Sequence, residues 1–242
     1  MDAIRIENLT KRYKDVIAVD GLNLSVASGE LLALLGVNGA GKTTTIKMLS
    51  CLTAPDGGDA FLLDKSIRTQ PAEVKKLIAV SPQETAVAPG LSVRENLELI
   101  CGVFGFSRQM QAEKTRELTA LLGLQGVLDK RAGKLSGGWQ RRLSIAMALI
   151  SQPRILFLDE PTLGLDVLAR AELWDLIRSL KGKITIVLTT HYMEEAEALS
   201  DRIAIMANGQ LLTCDTAAAI MAKTGADRFE EAFIRTVRGE GK

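Results

Sequence analysis

Short apolar runs alternate with longer amphipathic stretches along most of the chain. Five of these runs are rich in leucine or β-branched residues and lack polar alternation, as expected of strands buried on both faces. They cover residues 31–35, 78–80, 155–158, 184–188 and 203–206. This alternation predicts an α/β domain built on a mostly parallel sheet.

The N-terminal part of the chain has a different pattern, because its apolar runs are short, partly alternating and separated by turn-forming residues. These runs cover residues 4–7, 22–26 and 60–63, and they predict an antiparallel β lobe. The middle of the chain, from about residue 93 to residue 150, has helical periodicity and almost no strand signal. It predicts a helical insertion into the sheet core.

We therefore expect a single domain with recognisable parts. Residues 1–84 and 152–214 would form the core with its antiparallel lobe, and residues 85–151 would form a helical subdomain. Residues 215–242 would form a helical tail, in which the amphipathic stretch 229–234 either packs on the core, as we expect, or contacts a partner.

Composition narrows the class of protein. Of the 242 residues, 47% are hydrophobic and 24% are charged, which is typical of a globular protein, and the net charge of +1 gives no reason to expect a nucleic-acid partner. The N-terminus lacks the pattern of a signal peptide, and no apolar run approaches the roughly 20 residues that span a bilayer. The three cysteines have no metal-type spacing. We expect a cytoplasmic protein.

The clearest chemical motif is G-x-x-x-x-G-K-[ST] at residues 36–43, hereafter the phosphate loop. A predicted strand leads into it and a helix-competent stretch, 43–49, leads out, so a chance glycine-rich turn is a poor explanation. Backbone N–H groups and the helix N-terminus would hold ATP phosphates, while Lys42 would reach the β- and γ-phosphates and Thr43 would ligate Mg²⁺. The expected ATP contacts are Gly36, Val37, Asn38, Gly39, Ala40, Gly41, Lys42, Thr43 and Thr44.

Two carboxylates, Asp159 and Glu160, follow the predicted strand 155–158. Because ligands bind beyond the carboxyl ends of strands in open α/β sheets, Asp159 would organise Mg²⁺ and Glu160 would polarise the water that attacks the γ-phosphate. Alone, such a pair is more often a solvated strand end, but the phosphate loop favours the catalytic interpretation.

A second glycine motif, at residues 135–140, precedes a helix-like run over 141–150. Ser136 at an N-cap position and two glycines make a helix start that can receive an anion, although an ordinary capped helix would look the same. This segment, hereafter the signature segment, consists of Leu135, Ser136, Gly137, Gly138, Trp139 and Gln140.

Taken together, the motifs resemble the ATPase domain of ABC transporters over about residues 4–212. In chain order they are the phosphate loop, Gln83, the signature segment, Asp159-Glu160, Gly164-Leu165-Asp166 and His191. The chain departs from the family where Val37 and Val167 replace frequent prolines and where Trp139 follows the signature glycines. The resemblance implies ATP and Mg²⁺ as ligands and head-to-tail association with a second ATPase subunit, most simply an identical one.

Individual roles also follow from the resemblance. Tyr13 would stack on adenine, unless it is only a half-buried strand tyrosine, and Gln83 would contact Mg²⁺ and the attacking water. The signature segment would bind the γ-phosphate of ATP held by the second subunit, and Asp166 would cross the dimer interface. His191, the one histidine of the chain, would sense the γ-phosphate.

The resemblance leaves more than one use for this ATPase. A membrane permease on a separate chain would make it a transporter subunit on the cytoplasmic face of the membrane, and residues 91–96, 102–105 and 189–197 resemble the exporter-like branch that moves drugs, lipids, polysaccharides or ions. A single-cassette ATPase of assembly, cell division or another soluble machine is the alternative. A nucleotide-binding regulator without turnover is disfavoured, because Lys42 and Glu160 are both present.

Overall fold

Two sheets and a set of helices make up the computed structural model, which describes residues 1–239. The strands are β1 Asp2–Tyr13, β2 Val16–Ala27, β3 Leu31–Leu35, β4 Gly57–Leu62, β5 Lys65–Ser66, β6 Ile78–Ser81, β7 Ile155–Asp159, β8 Thr185–Thr190, β9 Arg202–Ala207 and β10 Gln210–Asp215. The helices are α1 Lys42–Leu49, α2 Pro71–Leu77, α3 Val93–Val103, α4 Arg108–Leu121, α5 Gly137–Leu149, α6 Val167–Leu180, α7 Met193–Leu199, α8 Ala217–Thr224 and α9 Phe229–Arg238. Each of these helices is too short or too polar to cross a bilayer.

The larger sheet has the strand order β10-β9-β3-β8-β7-β6. The pairs β9–β3, β3–β8, β8–β7 and β7–β6 are parallel, and only the edge strand β10 is antiparallel to its neighbour. The smaller sheet, with the order β2-β1-β4-β5, is antiparallel throughout. The predicted fold class, a mostly parallel core with an N-terminal antiparallel lobe and inserted helices, is confirmed.

Strand β3 shows why its sequence is uniformly apolar. Leu31, Ala33 and Leu35 pack into a core shared with α3, α5, α6 and the C-terminal helices. Leu32 and Leu34 point to the opposite face, into a second core formed with the antiparallel lobe and α1. Because every side chain of β3 is buried, no polar alternation survives in the strand.

The antiparallel strands β1 and β2 are each 12 residues long, much longer than the apolar runs predicted. Register shifts between Ile6 and Leu9, and between Leu9 and Lys11, mark bulges where the alternation of buried and exposed residues breaks. Because of these bulges, the outer halves of both strands lack the period-two pattern by which a strand is predicted. The edge strand β10 was also missed, because it is only partly buried.

The tail packs on the body of the protein. Helix α9 contacts α7, α8, β9 and β10. It buries Phe229 and Phe233 and leaves Ile234 40% exposed. The alternation of large apolar and charged residues along the tail therefore follows a helix with one face on the core, up to Gly239.

Candidate nucleotide site

The carboxyl ends of β3, β7 and β8 meet at one edge of the large sheet. Leu35 of β3 lies beside Thr190 of β8, and Asp159 of β7 lies beside Thr189 of β8. At this edge a cavity of about 460 Å³ is lined by residues 38–44 of the loop and α1. Its other lining residues are Val16, Ala18, Gln83, Glu160, Leu163 and His191.

A second cavity, of about 530 Å³, is larger but does not have this chemistry. It lies against His191 and α7 on one side and Phe229 of α9 on the other. None of its described lining residues comes from the phosphate loop or from the Asp159-Glu160 pair. We therefore assign the nucleotide to the smaller cavity.

The phosphate loop is closely packed, and two of its glycines have no room for a side chain. A Cβ atom at Gly36 would lie 2.4 Å from the carbonyl oxygen of Met206, and one at Gly41 would lie 2.4 Å from that of Ala18. Gly41 also has a φ of 102°, in the region that favours glycine. It is the N-cap of α1, so the positive end of the helix dipole lies at the loop.

Lys42 is folded back onto its own loop. Its Nζ atom donates to the carbonyl oxygen of Gly36 at 2.7 Å and to that of Val37 at 3.3 Å, and the residue is 6% exposed. Burial lowers the pKa of Lys42, while the nearby carboxylates of Glu160 and Asp159 favour its charged form. The ammonium group of Lys42 thus lies 3.7 Å from the carboxylate of Glu160, beside the cavity.

Asp159 accepts hydrogen bonds from two hydroxyl groups at the end of β7. Its Oδ1 atom accepts hydrogen bonds from Thr43 Oγ1 at 3.2 Å and from Thr189 Oγ1 at 2.5 Å. A threonine hydroxyl next to a carboxylate is the hard-oxygen chemistry that Mg²⁺ prefers, and the amide of Gln83 lines the same cavity. Residues 1–239 contain no cluster of three or more His, Cys, Asp or Glu side chains that could hold a metal without such partners.

Glu160 lies where the chain leaves the sheet, and its backbone φ of 47° is unusual for a residue with a side chain. Its N–H donates to the carbonyl oxygen of Thr189 at 3.1 Å and to Thr189 Oγ1 at 3.0 Å. These two hydrogen bonds stabilise the turn. The carboxylate is buried, with Oε2 2.8 Å from His191 Nδ1 and Oε1 3.7 Å from Lys42 Nζ. Lys42, Glu160 and His191 therefore lie together at this edge of the sheet.

Helix α5 holds the segment that carries Gln83. Arg141, which is 4% exposed, donates from Nη1 to the carbonyl oxygen of Pro82 at 2.5 Å and from Nη2 to that of Gln83 at 2.6 Å. Ser144 and Ser81 add a buried hydrogen bond of 3.0 Å between their hydroxyl groups. Arg141 could not be selected from the sequence, because a buried arginine inside a helix cannot be told from a surface one without the fold.

The signature segment lies apart from the phosphate loop of its own chain. None of its residues is among those that line the cavity within the described part of the chain. Ser136 occupies the N-cap position of α5, but its side chain makes no capping hydrogen bond, so the hydroxyl remains available. A Cβ atom at Gly138 would lie 3.1 Å from Ala169 Cβ, which sets the close approach of α5 and α6.

Trp139 and Gln140 have structural contacts. The guanidinium of Arg142 lies over the Trp139 ring, 5.0 Å from its centroid. Gln140 Nε2 donates to the carbonyl oxygens of Ala132 at 3.1 Å and Leu135 at 3.2 Å. The tryptophan that departs from the family pattern thus packs within its own subdomain.

Two expected contacts lie at the margins of the site. Tyr13 ends β1, is 44% exposed and pairs with Val16, which lines the cavity although Tyr13 does not. Asp166 caps α6 by accepting from the N–H of Ala169 at 2.9 Å. The next residues, Val167 and Leu168, are 77% and 76% exposed, an unusual arrangement for two adjacent apolar side chains.

Comparison with known proteins decides the family. The family model described as "ABC transporter" matches residues 19–163. The chain belongs to the ABC transporter family. It is an ATP-binding and ATP-hydrolysing cassette of that family, as the sequence predicted.

Several curated proteins resemble this ABC cassette closely. Daunorubicin resistance ATP-binding protein DrrA2 from Streptomyces coeruleorubidus is 40% identical over 94% of this chain and 71% of its own. Nod factor export ATP-binding protein I from Burkholderia lata is 43% identical over 86% of this chain and 68% of its own. Human phospholipid-transporting ATPase ABCA3 is 41% identical over 92% of this chain, but the cassette spans only 13% of that protein.

Solved structures agree with the fold of the cassette. The ATP-binding subunit of an ABC transporter superposes with a TM-score of 0.85 at 26% identity, covering 97% of this chain and 99% of that one. A dimeric ATP-binding cassette bound to ADP and Pi in a post-hydrolysis state superposes with a TM-score of 0.78 at 26% identity, covering 88% of this chain and 98% of that one.

Proposed function

We propose that this cassette powers the export of a substrate through a permease on a separate polypeptide. The observation that carries the proposal is the cluster of Lys42, Glu160 and His191 around one cavity, with Asp159 hydrogen-bonded to Thr43 of that cavity, in a cassette similar to subunits named for drug resistance and Nod factor export. None of the described helices is long and apolar enough to cross a membrane, and the separate permease would supply the channel. The cassette would then sit at the cytoplasmic face of a membrane, without nucleic acid.

In this proposal each side chain of the cluster has a task in ATP hydrolysis. Lys42 leaves its loop carbonyls for the β- and γ-phosphates, and Glu160 accepts a hydrogen bond from the attacking water and polarises it. His191, held by its Nδ1 contact with Glu160, keeps Nε2 for the γ-phosphate. Mg²⁺ supplies charge neutralisation of the phosphates when bound, and Thr43, Asp159 and Gln83 would hold it.

The adenine would rest beyond the cavity mouth, on the exposed ring of Tyr13 next to Val16 and Ala18. Aromatic faces bind bases by stacking, and the ring is accessible for this. The 5.5 Å contact between Lys11 Nζ and the ring centroid leaves the other face of the ring for the base.

A second cassette would complete each site. The free hydroxyl of Ser136 and the nearby glycines offer donors that no atom of their own loop uses. Val167 and Leu168, beside Asp166, are exposed in the single chain and would be covered at such an interface. ATP then stabilises the closed dimer, because only that form makes both sets of phosphate contacts.

Co-purification tests the transport function. An affinity-tagged cassette expressed in its own host should bring down an integral membrane protein from detergent-solubilised membranes, with the untagged cassette as control. Its ATPase rate should change when that protein is reconstituted in vesicles. Recovery of a cytosolic complex only, with no membrane protein in any detergent, would favour the assembly or cell-division alternative and defeat the transport function.

A further inference from the structure

A buried carboxyl group that the mechanism above does not use lies directly behind the catalytic cluster. Glu195 belongs to α7, one helical turn after His191, and is 0% exposed. Its Oε1 atom accepts a hydrogen bond from Trp174 Nε1 at 3.1 Å. Its Oε2 atom is also excluded from solvent and, within residues 1–239, has no hydrogen-bond partner.

Glu195 faces three segments that meet the nucleotide site. Besides Trp174 of α6, the hydroxyl groups of Thr162 and Thr190 lie close enough to interact with its carboxyl. Thr162 lies on the turn two residues after Glu160, and Thr190 directly precedes His191. One buried side chain, hydrogen-bonded to Trp174 of α6, thus lies near residues adjacent to both members of the Glu160–His191 pair.

The hydrogen-bond capacities of these groups match. Thr190 Oγ1 accepts from the N–H of Tyr192 at 3.0 Å, so its own proton is free to be donated to Glu195. Thr162 Oγ1 is buried and, within the described residues, has no partner either. A carboxyl group that carries its proton would accept from Trp174 through Oε1 and donate from Oε2 to Thr162, which removes both unsatisfied atoms.

The electrostatic surroundings favour that protonated form. Burial raises the pKa of Glu195 above its ordinary value, whereas the nearby hydroxyl groups of Thr190 and Thr162 and the hydrogen bond from Trp174 act in the opposite direction. The negative charge of Glu160 raises it further. Arg141 is also near enough to interact with the carboxyl, but it is engaged by two backbone carbonyl groups.

A purely structural role would not need an acid at this position. An apolar side chain of similar size would fill the same space without the cost of burying a carboxyl group. A carboxyl group can form directional hydrogen bonds to neighbouring elements. An apolar side chain cannot.

We propose that Glu195 is a positioning residue, which ties the turn after Glu160, the strand end before His191 and helix α6 into one arrangement and thereby fixes the contact between Glu160 and His191. The proposal rests on the proposed catalytic roles of that pair. Because Asp166 is the N-cap of α6, the same connection also links the pair to the segment expected to face the second subunit.

The single histidine of the chain provides a direct readout. Protein labelled with ¹⁵N-histidine has one imidazole spectrum, which reports the Nδ1 hydrogen bond to Glu160. Glu195→Gln keeps an acceptor and a donor, so we expect its imidazole shifts to match the wild type and its kcat to stay within about twofold. Glu195→Ala should change the imidazole shifts and lower kcat about tenfold or more, with the KM for ATP within about twofold.

Matched variants separate the possible results. Glu197→Ala removes an exposed glutamate from the same helix and should change neither spectrum nor kcat. If Glu195→Ala does not fold, Thr162→Val removes the facing hydroxyl and should alter both readouts in the same direction. Wild-type imidazole spectra and kcat in Glu195→Ala would overturn the proposal, and the same result in Thr162→Val would do so if Glu195→Ala does not fold. Full loss of kcat in Glu195→Gln would also overturn it. A Glu160→Gln variant that still turns over would instead contradict the roles of the catalytic pair.

Discussion

At the residue level, the fold buries Glu160 and places its carboxylate between a lysine and the histidine. Glu160 Oε1 is 3.7 Å from Lys42 Nζ, and Oε2 is 2.8 Å from a histidine nitrogen. The left-handed backbone at Glu160 directs its carboxylate into the cavity, whereas the preceding Asp159 points to Thr43 and Thr189. Adjacent acids thus have separate tasks, because the chain turns between them.

Glu160→Gln keeps the size of the side chain and removes its ability to act as a base. We expect this variant to bind ATP, whereas kcat should fall by about 100-fold or more, as is usual when a general base is lost. The exposed Glu117, on α4, provides the matched control Glu117→Gln, which should keep the wild-type rate. Near-normal hydrolysis by Glu160→Gln in steady-state assays would remove Glu160 from the mechanism.

Residues with a sequence motif were predictable, and those that support them were not. The phosphate loop, Asp159, Glu160 and His191 each follow a predicted strand or precede a predicted helix, so their neighbourhood follows from parallel-sheet geometry. Arg141 and Glu195 act through contacts with elements distant in sequence. Nothing in their local pattern distinguishes them from surface charges on an amphipathic helix.

At the level of elements, burial on both faces made the strands of the core easy to recognise. The predicted run at β3 agrees with the observed strand, because all five of its side chains are buried. Strands β1 and β2 were found only in part, since bulges and solvent exposure interrupt their pattern. The helices of the middle segment kept their period because each buries one face against the core.

The tail helix α9 allows a test of packing with two adjacent residues. Phe233 is 9% exposed and packs in the core, whereas Ile234 is 40% exposed. Phe233→Ala should lower the free energy of unfolding by about 3 kcal/mol or more, and Ile234→Ala by about 1 kcal/mol or less. Urea titrations of both variants would measure this. Equal effects would mean that α9 does not pack as described.

At the scale of the whole molecule, we propose that one chain holds half of each of two sites. The cavity with Lys42 and Glu160 is open, and the signature segment lies outside it with an uncommitted serine hydroxyl. Similar cassettes have been solved as dimers. The sequence could not give this arrangement from periodicity, because nothing in a pattern along one chain shows which copy completes a site. The expectation of a shared site came from the resemblance to the family. The separation in space of the phosphate loop and the signature segment supports it.

The ATP site of one cassette would be completed by Ser136 of another cassette. The measurement that tests it is sedimentation of Glu160→Gln with Mg²⁺-ATP, alone and combined with Ser136→Arg, together with the ATP affinity of each. We predict an ATP-dependent dimer for Glu160→Gln, and a monomer with ATP affinity unchanged within about threefold for the double variant. Loss of ATP binding by the monomeric double variant, or a Glu160→Gln protein that stays monomeric with saturating ATP, would contradict the account.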